Sequence, residues 1–165
     1  MINEPIFSTS PNTHNNAYLN WRMSDDMTEN FYQMGKAYGD GAMQLLDICL
    51  SRNFDYRADA LIFPIMHGIN QHIELCIKSI IRQIEILDDS KILNIKTHDI
   101  KQLLSQMESK IKMHNNGKTK GLAKHLHPVQ SYISELYRYI EEDSGRPHIE
   151  YSRYPMDVNE NPFFM

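Results

Sequence analysis

Residues 61–87 read LIFPIMHGINQHIELCIKSIIRQIEIL. The run is long and mostly apolar, and its polar residues recur at helical spacing, which predicts the central helix of an all-α domain. Working outward, the preceding SRNFDYR at 51–57 reads as a connector, with the helix starting near Asp59. Pro64 is expected in its first turn or at a kink. Asp88, Asp89 and Ser90 end it.

Upstream, Ser24 followed by Asp25 and Asp26 is a helix start: a capping hydroxyl, then acids where the macrodipole favours them. From there Met27, Phe31, Met34, Tyr38, Ala42, Leu45 and Cys49 recur at spacings of four and three, one face of a long first helix. Gly39 and Gly41 interrupt it, so the helix bends there or another backbone comes close. Downstream, Thr97 with Asp99 starts a third helix, whose apolar stripe is Ile100, Leu103 or Leu104, Met107 and Ile111. HNNGKTKG at 114–121 is a loop. Pro128 fits the first turn of a fourth helix. Its inward residues are Val129, Tyr132, Ile133, Leu136, Tyr137 and Ile140, and Gly145 is its cap.

The expected organisation is a loose arm over 1–20, a helical bundle over 21–145 and an ordered tail over 146–165 that packs on the bundle. A chain of 165 residues supports one such domain. A net charge of −4 with 23% charged residues argues against indiscriminate polyanion or membrane binding by the whole surface, but allows a local patch. Lys78 and Arg82 interrupt the best apolar run, so no membrane span is expected. No signal peptide opens the chain. Cys49 and Cys76 fall within predicted helices and read as reduced, buried thiols of a cytoplasmic protein.

The central helix carries two stripes. Ile65, Ile69, His72, Cys76 and Ile80 share one face, so His72 sits among apolar residues. A buried imidazole bonded to one neighbour is the bland reading; a base or ligand in a pocket is the functional one. Nearly opposite lie His67, Gln71, Glu74, Lys78 and Arg82. The expected role of this polar stripe is a water-facing side. If the helix has neighbours all round, it is instead an internal seam and the leading site, and Glu74 and Lys78 must then pair.

The segment PIMHGINQHIELCIKSII at 64–81 resembles bacterial HEPN-like proteins. Their pattern runs Pro-Ile, several apolar residues, Arg-His, two residues, Glu-Leu, one residue, Leu-Lys. Pro64, Ile65, Glu74, Leu75, Ile77 and Lys78 match it. THDIKQLL at 97–104 is similar to the His-Asp-Leu helix start that follows, SRYPMD at 152–157 to an Arg-Tyr-Pro tail motif, and FYQMGKAYGDGAMQLL to the first helix. The resemblance implies a four-to-five-helix bundle with an extended C-terminal tail. Such domains include ribonucleases of toxin–antitoxin and antiphage systems, and others that only bind nucleotides or partners.

Where the pattern has Arg-His, this chain has Asn70 and Gln71, with His72 one position later. No Arg is followed by a His after four to six residues, the spacing of the family's nuclease signature. Asn and Gln hydrogen-bond a ligand but exchange no proton near neutral pH, whereas metal-independent RNA cleavage needs a base, an acid and a cation. A rebuilt site would gather His72, His148 and Arg153.

Between Lys110 and Ser134 there is no acid, while Lys110, Lys112, Lys118, Lys120 and Lys124 occur with His114, His125 and His127. This is either a hairpin gripping a phosphate backbone or a solvated loop. No aromatic interleaves the lysines before Tyr132, so no stacking platform is evident. His125 and His127, two apart and without a nearby Cys or carboxylate, do not suggest a metal site. No cofactor motif occurs. In the tail, Arg146, His148, Arg153 and Tyr154 either anchor it or line a site beside Glu74 and Lys78.

The leading expectation is therefore a non-catalytic or catalytically altered HEPN-like module, cytoplasmic and homodimeric. It would bind RNA, a nucleotide or a protein partner such as a cognate antitoxin or defence protein. Its contacts would be Asn70, Gln71, Glu74, Lys78 and Tyr154, with Lys118, Lys120 and Lys124 for nucleic acid. The runner-up is a ribonuclease with His72 or His148 as base and Arg153 on the phosphate. A third reading is a structural adaptor working through the tail aromatics Phe163 and Phe164.

Overall fold

The computed structural model describes residues 11, 12, 14, 27–90 and 95–144, the last six of them as backbone only. Four helices occur among the described residues: α1 (Met27–Ser51), α2 (Arg57–Leu87), α3 (Ile100–His114) and α4 (Leu122–Ser144). The domain is an all-α bundle. No helix among them is long and apolar enough to cross a membrane. Ser24, Gly145, nearly all of the arm and the whole of the tail lie outside the described residues.

The helix boundaries follow local chemistry. Asp99 caps α3, its side chain accepting from the Gln102 amide at 3.0 Å, while Thr97 Oγ1 accepts from the Asp99 amide at 3.1 Å. The start of α2 is unusual. Tyr56 takes a left-handed conformation with φ 56°, and the Asn53 side chain, 2.9 Å away, accepts from the Ala58 amide. Helices α2 and α3 end alike, in a non-glycine residue at positive φ: Asp89 (48°) and Asn116 (50°). Behind each, an amide closes on the last turn, Ser90 N to Glu85 O and Gly117 N to Lys112 O, both at 2.9 Å.

Both prolines lie deeper in their helices than the sequence suggests. Pro64 is in the third turn of α2 because that helix already begins at Arg57. Pro128 is in the second turn of α4, which begins at Leu122 directly after Gly121 at φ 87°. Each proline removes one helical donor. Pro64 and Pro128 are both exposed, as are Ala60 and Lys124, whose carbonyls lose that donor on the watery side.

The main core lies between α2, α3 and α4. Ile73, Ile77 and Ile81 from α2 meet Ile100, Leu103, Leu104 and Met107 from α3 and Ile133, Leu136 and Tyr137 from α4. The stripes expected of α3 and α4 are thus observed, with both Leu103 and Leu104 buried; the Ile140 side chain is outside the described set.

The opposite side of α2 packs on α1 by a different principle. Thr28, Gly35, Ala42 and Cys49, seven residues apart, are the buried positions of α1. Their small size lets the backbones approach. A Cβ on Gly68 would stand 2.9 Å from Ala42 Cβ and 3.1 Å from the Tyr38 carbonyl, and one on Gly39 would meet the His72 ring at 2.8 Å. Close approach is therefore the reason for Gly39, whereas Gly41 has nothing within 4 Å. The larger members of the expected α1 face are only partly covered: Met27 is 46% and Tyr38 39% exposed.

Candidate functional site

The candidate site is a polar row on α2, where Asn70, Glu74 and Lys78 follow one another at intervals of four and share a face. The row is not a solvated side. Asn70, Glu74 and Lys78 are 1%, 4% and 5% exposed, and His67, Gln71 and Arg82 are half-buried. The expectation of a water-facing stripe is overturned because α2 is covered on more than one side: Tyr132 of α4 reaches Asn70, and the segment entering α3 reaches Glu74.

Burial imposes pairing. Lys78 Nζ donates to Glu74 Oε1 at 2.8 Å, and His98 Nδ1 donates to the same oxygen at 2.9 Å. The carboxylate only accepts, so in the neutral ring His98 carries its proton on Nδ1 and its lone pair on Nε2. Glu74 is sealed, yet the His98 side chain is 71% exposed. A buried ion pair thus connects to solvent through one imidazole. Beside it, Tyr137 donates to Asp99 Oδ1 at 2.7 Å, tying α4 to the start of α3.

Asn70 is held by Tyr132, whose hydroxyl donates to Oδ1 at 2.8 Å. Its Nδ2 is buried without a partner among the described residues. His72 faces the other way. Its Nδ1 lies 2.9 Å from the Gly35 carbonyl, which only accepts, so Nδ1 is the donor; Cys76 Sγ is 3.6 Å from the same nitrogen. Burial pushes the Cys76 thiol pKa up, which disfavours the nucleophilic thiolate. Cys76 is half-buried rather than buried, and both cysteines are free. Ile80, assigned to the apolar face, is 42% exposed.

His72 therefore belongs to the α1 contact, and Glu74 to the contact with α3. The structure brings Glu74, Lys78 and His98 together, keeps Asn70 on the same row, and separates His72 from them. Gln71 borders the row, half-buried. His148, Arg153 and Tyr154, along with the aromatic pair Phe163 and Phe164, lie outside the described residues. His98 was not among the sequence candidates, although its motif was recognised; the signal was a histidine directly before a capping aspartate.

The lysine-rich hairpin is a separate feature. Lys112, Lys118, Lys120 and Lys124 are exposed. Lys110 is not part of this free group, because it pairs at 2.8 Å with Glu85, which is 1% exposed. His114 bonds Asp88 through Nδ1. His125 and His127 are exposed, and no group of three potential metal ligands occurs among the described residues. The row reaches solvent at His98, ahead of α3, whereas the hairpin follows the end of that helix. With 15 residues between, at 1.5 Å per residue, they stand about 22 Å apart.

No protein-family model matches this chain, and neither does any curated protein or solved structure.

Proposed function

We propose that the chain is a catalytically altered HEPN-like module, of the bacterial or phage toxin and defence kind, that acts by binding rather than by cleavage. RNA, a nucleotide and a cognate protein are the ligand classes in view, and self-association into a homodimer belongs to the same reading. One observation carries the proposal: at 70 and 71, where the related pattern has its Arg-His pair, stand two amides, of which Asn70 is sealed in packing, and the neighbouring His72 is engaged in the α1 contact. Asn70 is 1% exposed beneath the Tyr132 hydroxyl. His72 spends Nδ1 on the Gly35 carbonyl. A proton-transfer group must reach the atom it serves and exchange a proton with it; here the Arg position holds an amide shut inside the bundle, and the His position holds the half-buried Gln71, which exchanges no proton near neutral pH.

A second reading, a metal-independent ribonuclease with a rebuilt site, is favoured by His98. An exposed imidazole oriented by a buried carboxylate has the geometry of a general base. The test is incubation of purified protein with RNA in the presence of a chelator, alongside His72→Ala and His98→Ala. The binding module predicts intact RNA with all three proteins. Cleavage abolished by His98→Ala but kept by His72→Ala would replace it with the ribonuclease.

A further inference from the structure

We propose that the α3–α4 hairpin binds the phosphate backbone of double-helical nucleic acid, without reading its sequence. This rests on the binding-module reading and names its ligand. The first observation is a division of charge along the chain. From 27 to 90 nine carboxylates oppose five lysines and arginines; from 95 to 134 seven lysines oppose only Asp99 and Glu108. Lys96 and Lys101 stand at the start of α3, so the other five, Lys110, Lys112, Lys118, Lys120 and Lys124, give a protein with a net charge of −4 a basic hairpin.

The second observation is how that hairpin is kept positive. Three of the carboxylates at this end are engaged by its own side chains, although the exposed Asp89 beside Asp88 is not. Glu85 pairs with Lys110, Asp88 with His114, and Glu108 accepts from Gln130 at 2.7 Å. Lys112, Lys118, Lys120 and Lys124 are exposed and have no side-chain partner among the described residues. Lys118 and Lys120 lie in the loop and Lys112 and Lys124 in the helix turns that flank it, with Asn116, Gly117 and Gly121 at φ 50°, 80° and 87° and Gly117 N closed on Lys112 O. Four ammonium groups with no counter-charge among the described residues therefore stand on one hairpin.

The third observation selects the duplex. No Phe, Tyr or Trp lies between Lys112 and Lys124, and the His114 ring is tied to Asp88, so bases of a single strand find little to stack on there. What is left is charge attraction, which grows with the charge density of the ligand. A duplex presents about one phosphate per 1.7 Å of axis, twice that of one of its strands. The small polar neighbours Asn115, Asn116 and Thr119 fit contact with a backbone rather than with base edges.

The experiment measures binding of labelled duplex RNA, duplex DNA and single-stranded oligo(U) of equal length to the full chain over a salt series. Four contacts predict a log–log salt slope of about −3 to −4 for duplexes, and weaker binding of oligo(U). Lys118→Gln/Lys120→Gln/Lys124→Gln should lower duplex affinity on the order of a hundredfold at about 0.1 M salt and flatten the slope by about 3. Lys36→Gln, on exposed α1, should change neither. Circular dichroism of the triple variant separates lost binding from lost fold. Duplex binding unaffected by the triple substitution would overturn the hairpin but leave the module an RNA binder. Tighter binding of oligo(U) would overturn the choice of duplex. No nucleic-acid binding at low salt would overturn the proposal and leave the module its nucleotide or protein ligands.

Discussion

Glu74 accepts from both Lys78 and His98 on one oxygen. Breaking a buried pair strands a charge, whereas replacing both partners with apolar residues can be neutral. Lys78→Met alone is expected to cost about 3–5 kcal/mol in urea denaturation, because it leaves the Glu74 charge with only an exposed imidazole. Glu74→Leu combined with Lys78→Met should recover most of that loss. A double variant as unstable as the sum of the singles would show that the pair is not the source of the cost. Cys76 makes stability depend on pH. Its folded thiol has a raised pKa, so the unfolded chain ionises first and the folded state holds more protons. Its contribution is full below the ordinary thiol value of about 8.5 and is lost as pH rises from there through the folded value. Wild type should therefore lose more stability than Cys76→Ala between about pH 8 and 10, measured by denaturation at each pH. Equal pH dependence in the two proteins would refute the assignment.

Two glycine substitutions distinguish an open helix face from a tightly packed one. Gly41 faces open space on α1, so Gly41→Ala should stabilise by up to about 1 kcal/mol through helix propensity alone. Gly68 sits where α2 meets the α1 backbone, and the Tyr38 carbonyl at 3.1 Å cannot swing aside. Gly68→Ala should destabilise despite the same gain in propensity, by about 1–3 kcal/mol for overpacking. Thermal midpoints of the two variants should move in opposite directions. This crossing also marks where sequence reading succeeds and fails. The stripes of α3 and α4 were legible because each has one apolar face, and 3.6-residue spacing identifies it. The faces of α2 were not, because apolar residues surround it. The pattern offered Ile65, Ile69, His72, Cys76 and Ile80; Ile65 is buried and Ile69 packs against the main core, but that core is built on Ile73, Ile77 and Ile81, and Ile80 is exposed. Of the buried line of α1, Ala42 and Cys49 were on the expected face, while Thr28 and Gly35 were missed because small or polar residues scarcely register in hydrophobic periodicity. Similarly, the pairing of Glu74 with Lys78 was legible as an i,i+4 match, while His98, 24 residues from Glu74, was joined to it only by the fold.

Across the whole molecule, α2 divides the bundle into unequal halves. On one side, the main core joins it to α3 and α4 through bulky aliphatic and aromatic residues. On the other, α1 meets it through Thr28, Gly35, Ala42 and Cys49, with Ser79 donating to the Thr28 carbonyl at 3.0 Å and His72 bonded to Gly35. Small residues bury little apolar area each, and stabilisation scales with that area at about 25 cal/mol per Å². The buried α1 positions therefore each contribute little apolar area, and separation of α1 is expected to leave the α2–α3–α4 core in place. Local opening follows such differences in packing. Native-state hydrogen exchange should place amides of 35–49 in a unit that opens at lower free energy than those of 77–84, 103–107 and 133–137. The gap should widen in Gly68→Ala, which loosens only the α1 contact. Exchange of all four helices at one common free energy would instead mean that α1 is as much a part of the cooperative core as α3, and that close backbone approach compensates for the missing side-chain bulk.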